Sequence, residues 1–223
     1  MNIINIDAFP IPIAVGTLGE ASREMNTKLI EASKVALNKV PVNERTGVGI
    51  TQTIGGLEKA NPVYKHLGNV ITQFSRDRIF SAGVQKDTIQ AEGFWVNHNT
   101  QRSAYHMPHS HSSHYVWTGV YFPTSGFHNE IAISKEEDLD EIVEISSTNR
   151  PASGSLVLID PLHYIKTGIA GDEIAAYPYW GNPISVKPKE GTVVLFPSYL
   201  PHLVTPTDED NFERFSIAFY IRT

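Results

Sequence analysis

Between residues 17 and 38, Leu18, Ala21, Met25, Leu29, Ala32 and Ala36 recur at steps of three or four, and Ile30 and Leu37 widen the stripe. That period predicts an amphipathic helix with one buried face. Asn61 and Pro62 form an N-cap and first-turn pair for a second helix over 61–80, which continues through Val63, Leu67, Val70, Ile71 and Phe74. The piece between them, TGVGITQTIGG, reads as loop and short strand. After residue 80 the texture changes. Stretches 94–97, 115–122, 155–159, 192–196 and 214–221 are rich in Val, Ile, Phe, Tyr and Trp and are punctuated by Gly, Pro and Asn, which predicts strands. Segment 135–144 carries six acids and one Lys and reads as a solvated loop or short helix.

Helices followed by a run of short strands predict an α+β domain built on a β-sandwich or jelly roll. With no internal repeat and no low-complexity linker, one domain over 1–223 is expected, with a helical bracing region at 1–80 and a jelly-roll core at 81–223. The last strand shows how the layers should meet. Phe215, Ile217, Phe219 and Ile221 share one face, which must be buried and so should pack on the helices. Arg214, Ser216, Ala218 and Tyr220 share the other, which then looks into the sandwich.

Composition narrows the function classes. The 223 residues carry 18 Lys+Arg against 24 Asp+Glu, a net charge of −6, so nucleic acid is not the expected partner. Zero Cys excludes disulfides, thiolate metal sites and a Cys nucleophile. No apolar run approaches the roughly 20 residues of a membrane span, and the N-terminus lacks a basic signal-peptide region. The expectation is a soluble cytoplasmic protein away from membranes, with a homodimer allowed.

Four of the nine His fall in YHMPHSHSSHY: His106, His109, His111 and His114. In extended chain, His109 and His111 point to one side and can converge on one ion; a His-rich surface loop is the bland alternative. A second segment strengthens the metal reading. GTVVLFPSYLPHLVTP runs as strand, Pro-Ser turn and then His202 opening another strand. Twelve residues later stands Arg214-Phe215-Ser216. An inward Arg214 needs a partner, either an internal Asp or Glu or a bound carboxylate gripped with two prongs and helped by the Ser216 hydroxyl.

These pieces form an ordered series. It runs Trp95-x-Asn97, Tyr105-x-x-Pro108-His109-x-His111, Thr118-Gly119-Val120-Tyr121-Phe122, Asp160-Pro161, the FPSxLxH run ending at His202, and Arg214-x-Ser216. The series, over about 94–219, resembles the iron(II)- and 2-oxoglutarate-dependent oxygenases, and within them a hydroxylase branch common in bacteria and phages. The resemblance implies a double-stranded β-helix, a jelly roll with N-terminal helices packed on one sheet. It implies Fe(II) on His109, His111 and His202, which also makes these three the catalytic residues. It implies 2-oxoglutarate as cosubstrate with its far carboxylate on Arg214 and Ser216, and a hydrogen bond from Tyr121 to it. O2 and a small-molecule or protein side-chain substrate would complete a hydroxylation that releases succinate and CO2.

Most of that superfamily pairs its first His with Asp or Glu, whereas His111 stands there in this sequence. A three-His site, one His behind the metal shell, or a carboxylate such as Asp160 all remain open. The interval from His109 to Gly119 is one residue longer than the family pattern, so His106 and His114 are substitutes. Tyr121 has a core reading as well. Trp95 and Asn97 can floor the pocket, and Tyr177, Tyr179 and Trp180 can line a substrate mouth or pack as a loop. His66, His98, His128 and His163 have no matching partners, and Ser198 reads as a turn residue rather than a nucleophile. The rival classes are a cupin-type metal enzyme that does not use 2-oxoglutarate and a metal-free jelly-roll binding module.

Overall fold

The computed structural model describes residues 11–40, 48–79, 86–111, 114–126, 139–145, 153–162, 183–207 and 213–223. Two antiparallel sheets face each other. The larger is six-stranded: β1 (Ala14–Thr17), β2 (Ile50–Gln52), β3 (Gln90–Asn99), β5 (Trp117–Tyr121), β9 (Thr192–Pro197) and β11 (Arg214–Arg222), in the order β1-β9-β5-β11-β3-β2. The smaller is five-stranded: β4 (His106–His109), β6 (Val143–Ile145), β7 (Leu156–Leu158), β8 (Ile184–Val186) and β10 (His202–Val204), in the order β4-β10-β7-β8-β6. Helices α1 (Arg23–Leu37), α2 (Leu57–Ala60), α3 (Pro62–Ile79) and α4 (Leu139–Ile142) complete the described elements. This is the expected α+β jelly roll.

The alternation in β11 decides the layering. Phe215, Ile217, Phe219 and Ile221 are each no more than 1% exposed, and they join Leu29 of α1, Tyr64, Leu67 and Ile71 of α3, and Phe94 of β3 in one core. The helices therefore brace the outer face of the larger sheet. A second cluster fills the space between the sheets, with Phe122, Leu156, Leu158, Val186, Val194 and Phe196. The cavity described below occupies the rest of that space.

Both predicted long helices form. Asn61 caps α3, its Oδ1 accepting from the Val63 amide at 3.0 Å. The buried line of α1 runs through Met25, Asn26, Leu29, Ser33 and Leu37, so Ser33 is buried where Ala32 is only half-buried. That hydroxyl is satisfied by the Leu29 carbonyl at 2.6 Å and the Tyr64 phenol at 2.8 Å.

The helical region at 1–80 needs correcting. Residues 14–17, which run up to the first residue of the predicted helix over 17–38, form β1, paired from Ala14↔Leu195 to Thr17↔Thr192, and β2 also joins the larger sheet. The N-terminal third thus supplies both edges of that sheet as well as its brace. In the acidic segment, α4 and β6 follow one another; residues 135–138 lie outside the described residues.

Candidate active site between the sheets

β4 and β10 are neighbours, and their register sets His109 directly opposite His202. The chain reaches His202 through a tight turn after β9, closed by the Leu200 amide on the Pro197 carbonyl at 2.9 Å. His111 follows the end of β4 and is pinned by its amide to the Ser198 carbonyl at 2.9 Å. The FPSYLPH turn therefore carries one histidine and anchors another. Ring centroids lie 4.3 Å apart for His109–His202, 5.1 Å for His111–His202 and 5.4 Å for His109–His111. One nitrogen from each ring falls within 4.8 Å of the other two.

Hydrogen bonds settle which nitrogens are available. Nδ1–H of His109 donates to the Met107 carbonyl at 2.8 Å, and Nδ1–H of His202 donates to the Leu200 carbonyl at 2.9 Å. A carbonyl only accepts, so each Nε2 keeps its lone pair. His111 Nδ1 lies 3.3 Å from the Tyr220 phenol oxygen. Burial lowers His202 to about 3 and His111 to about 4, with the other histidines adding to the effect. Both rings are neutral near neutral pH, the form that binds a metal.

A cavity of about 330 Å³ joins these histidines to Arg214, Ser216, Asn97 and Trp95. Arg214 is 1% exposed, and its Nη1 donates to the Gly154 carbonyl. Burial lowers its guanidinium to about 10, which leaves it charged at neutral pH. The described lining contains no Asp or Glu, so this end of the cavity is positive. A second hollow of about 580 Å³ adjoins it, sharing Gln52, Trp95 and His111 and walled further out by Tyr115 and Tyr220.

His109, His111, His202, Arg214 and Ser216 thus meet at one cavity. Tyr121 does not join them. In β5, Thr118 and Val120 face the cavity, while Trp117 and Tyr121 turn to the helix side. There the Tyr121 hydroxyl donates to Asn26 Oδ1 of α1 at 2.5 Å, and burial pushes its pKa up. The core reading of Tyr121 replaces the cosubstrate contact, because strand parity puts it on the wrong face. Asp160 accepts from the Leu162 amide at 2.8 Å and is absent from the cavity lining. His106 lines the cavity outside the triad, and burial and Arg214 lower it to about 3. His114 is exposed, as is His66 on α3. His98 stacks on Phe215 at 4.2 Å and pairs with Glu213 at 3.1 Å, away from the site. His128, His163, Tyr177, Tyr179 and Trp180 lie outside the described residues. Sequence reasoning gave Tyr220 no role, although its place on the Arg214 face of β11 was visible in the alternation.

Three converging imidazoles fit a divalent first-row metal, and a buried guanidinium beside a serine fits a dianionic acid. Fold and site together are those of a jelly-roll protein with a candidate metal centre between its sheets. The structure is similar to a prolyl-4-hydroxylase from Pseudomonas putida, with TM-score 0.52 and 12% identity over 95% of this chain and 92% of that one. It is similar to the non-haem α-ketoglutarate-dependent epimerase SnoN of nogalamycin biosynthesis, with TM-score 0.59 and 13% identity over 95% and 78%. It also resembles HygX from Streptomyces hygroscopicus, crystallised with nickel, 2-oxoglutarate and hygromycin B, with TM-score 0.52 and 14% identity over 95% and 83%. At these identities the likeness establishes the fold.

The sequence profile of the family described as "Putative 2OG-Fe(II) oxygenase" matches residues 93–220, more than half of the chain, and the chain belongs to that family. It is an Fe(II)- and 2-oxoglutarate-dependent oxygenase, which sets aside the cupin-type and metal-free alternatives. The sequence matches no curated protein. No helix among the described residues is long and apolar enough to cross a membrane.

Proposed function

We propose that His109, His111 and His202 hold Fe(II), that Arg214 and Ser216 hold the far carboxylate of 2-oxoglutarate, and that the enzyme hydroxylates a substrate lying in the outer hollow. The observation that carries this reading is the single cavity that has three converging imidazoles at one end and the buried Arg214 at the other. Iron with 2-oxoglutarate and O2 supplies the oxidising power, and succinate and CO2 leave. The protein's part is placement. The Met107 and Leu200 carbonyls fix two imidazoles in the ligating tautomer. Arg214 offers a flat two-pronged donor set and Ser216 a hydroxyl on the same strand face. Phe122 and Leu156 of the lining keep the cosubstrate end of the cavity dry.

His111 and Trp95 border both hollows, so a substrate in the outer one approaches the metal past them. A small molecule or a protein side chain fits that route. The net charge of −6 favours such a partner over nucleic acid, and the absence of Cys suits a reducing cytoplasm.

The test is calorimetric titration of the anaerobic Mn(II)-loaded protein with 2-oxoglutarate. Arg214→Ala should leave Mn(II) binding intact, since Arg is not a ligand, and weaken 2-oxoglutarate by roughly 2–5 kcal/mol. Arg214→Lys should recover only part of that, because one ammonium cannot reproduce the fork. Unchanged 2-oxoglutarate affinity in a folded Arg214→Ala protein would remove Arg214 from cosubstrate binding.

A further inference from the structure

We propose that Glu58 of α2 is a positioning residue for the metal ligand His111, acting through a bulge in β3 and the Tyr220 phenol; the proposal rests on the three-histidine metal site. The register shows the bulge. β11 pairs Ala218 with Trp95 and Tyr220 with Glu92, so Gly93 and Phe94 together stand opposite Phe219 alone. Gly93 takes φ 70°, the left-handed region where a side chain is strained. An extra residue reverses the alternation of a strand. Phe94 and Val96 face the helices, and so does Ala91, which a regular strand would turn to the opposite side. Glu92 and Trp95, three residues apart, both line the outer hollow.

Glu58 holds that bulge. β2 covers β3 over residues 97–99, and Thr53 extends the cover to Val96 through its amide and its hydroxyl. Past that point the Glu58 carboxylate accepts from the Gly93 amide at 3.2 Å and from the Phe94 amide at 3.0 Å. Consecutive amides of a regular strand point to opposite edges, so one carboxylate reaches both because the strand is bulged. Its charge makes these bonds stronger than those to a neutral acceptor. What the bulge carries is Tyr220. The Tyr220 ring lies over Gly93, where a Cβ would stand 3.1 Å from its Cδ2. Tyr115 stacks on the same ring at 4.6 Å and is tied to Glu92 by its hydroxyl at 2.8 Å, and Trp95 leans on it at 5.0 Å. Gly93, Glu92 and Trp95 all belong to the bulged stretch, and together they seat the phenol 3.3 Å from His111 Nδ1. A contact of that length has little slack before it stops being a hydrogen bond. Glu58 touches no histidine, yet what it holds in place bears on the third ligand.

The experiment is a cycle of Mn(II) titrations on the full-length anaerobic protein: parent, Glu58→Ala, Tyr220→Phe and the double variant, each checked for folding by its melting curve. Glu58→Ala should raise the Mn(II) Kd by about 10–100-fold, the range for losing support of a metal ligand. In the Tyr220→Phe background the same change should alter the Kd by less than about twofold, because the hydroxyl through which it acts is gone. Glu58→Gln keeps the size and one oxygen acceptor, so it should recover part of the affinity, and it runs the same cycle if Glu58→Ala does not fold. An unchanged Kd in folded Glu58→Ala overturns the proposal. So does an equal loss in both backgrounds, which would make Glu58 a brace for the fold alone. His202→Ala in the same titration separates the two ideas. If it loses Mn(II) while Glu58→Ala binds as the parent does, only the positioning role fails. If His202→Ala binds normally, the metal site fails and the role of Glu58 with it.

Discussion

Each histidine of the proposed metal site has its own partner at Nδ1, and the partners differ in kind. His109 and His202 lean on backbone carbonyls two residues behind them, which no side-chain substitution removes. His111 depends on the phenol of Tyr220, 3.3 Å away and with its ring at 88° to the imidazole. Tyr220→Phe keeps the ring and its packing but deletes the hydroxyl. It should lower Mn(II) affinity by about 10–100-fold, the usual effect of losing a group that orients a metal ligand. Equilibrium titration of the two proteins measures this, and equal affinities would show that the phenol does not set the His111 tautomer. The contrast with Tyr121 lies in strand parity. The family resemblance put Tyr121 at the cosubstrate, and its place in β5 turns it into the helix layer. Tyr220 shares the Arg214 side of its strand and reaches the site, past an irregularity in the pairing between Ala218 and Tyr220.

Among the elements, β5 and β11 carry the most weight, and Gly119 shows why. It lies in the middle of β5, flanked by β9 and β11. A Cβ there would meet the Val194 carbonyl oxygen at 2.5 Å and run into the Phe219 ring. The glycine of the TGVYF motif is therefore a packing requirement, since Phe219 fills the space that a side chain would take. Gly119→Ala should destabilise the fold by about 1–3 kcal/mol, measured by urea unfolding. A neutral result would contradict the packing of Phe219 on the helix side. The same packing explains which elements were legible. Central strands β3, β5, β9 and β11 have apolar faces buried against helices or the opposite sheet, and their Val, Ile and Phe patterns announce them. Edge strands β1, β4 and β6 have three or four residues each, too few to show a period. β4, with sequence HMPH, has almost no apolar signal and is defined by its pairing with β10.

At the scale of the whole molecule, the site exists only because the two sheets face each other. The smaller sheet brings His109 and His202, and the larger brings Arg214, Ser216 and Asn97. The sequence separates His109 from Arg214 by about a hundred residues, so their meeting follows from motif order and strand parity rather than from local spacing. His109, His111, His202, Arg214 and Ser216 were legible for that reason. The separate outer hollow was not, because it depends on side-chain positions across strands. The central claim is the three-histidine metal site, and equilibrium dialysis against Mn(II) tests it most directly. The parent protein should bind one ion per chain, and His202→Ala, which removes the ligand contributed by β10, should lose it. His106→Ala and His114→Ala should keep it, since neither residue belongs to the converging group. Full Mn(II) binding by His202→Ala, or its loss in His106→Ala or His114→Ala, would contradict the account.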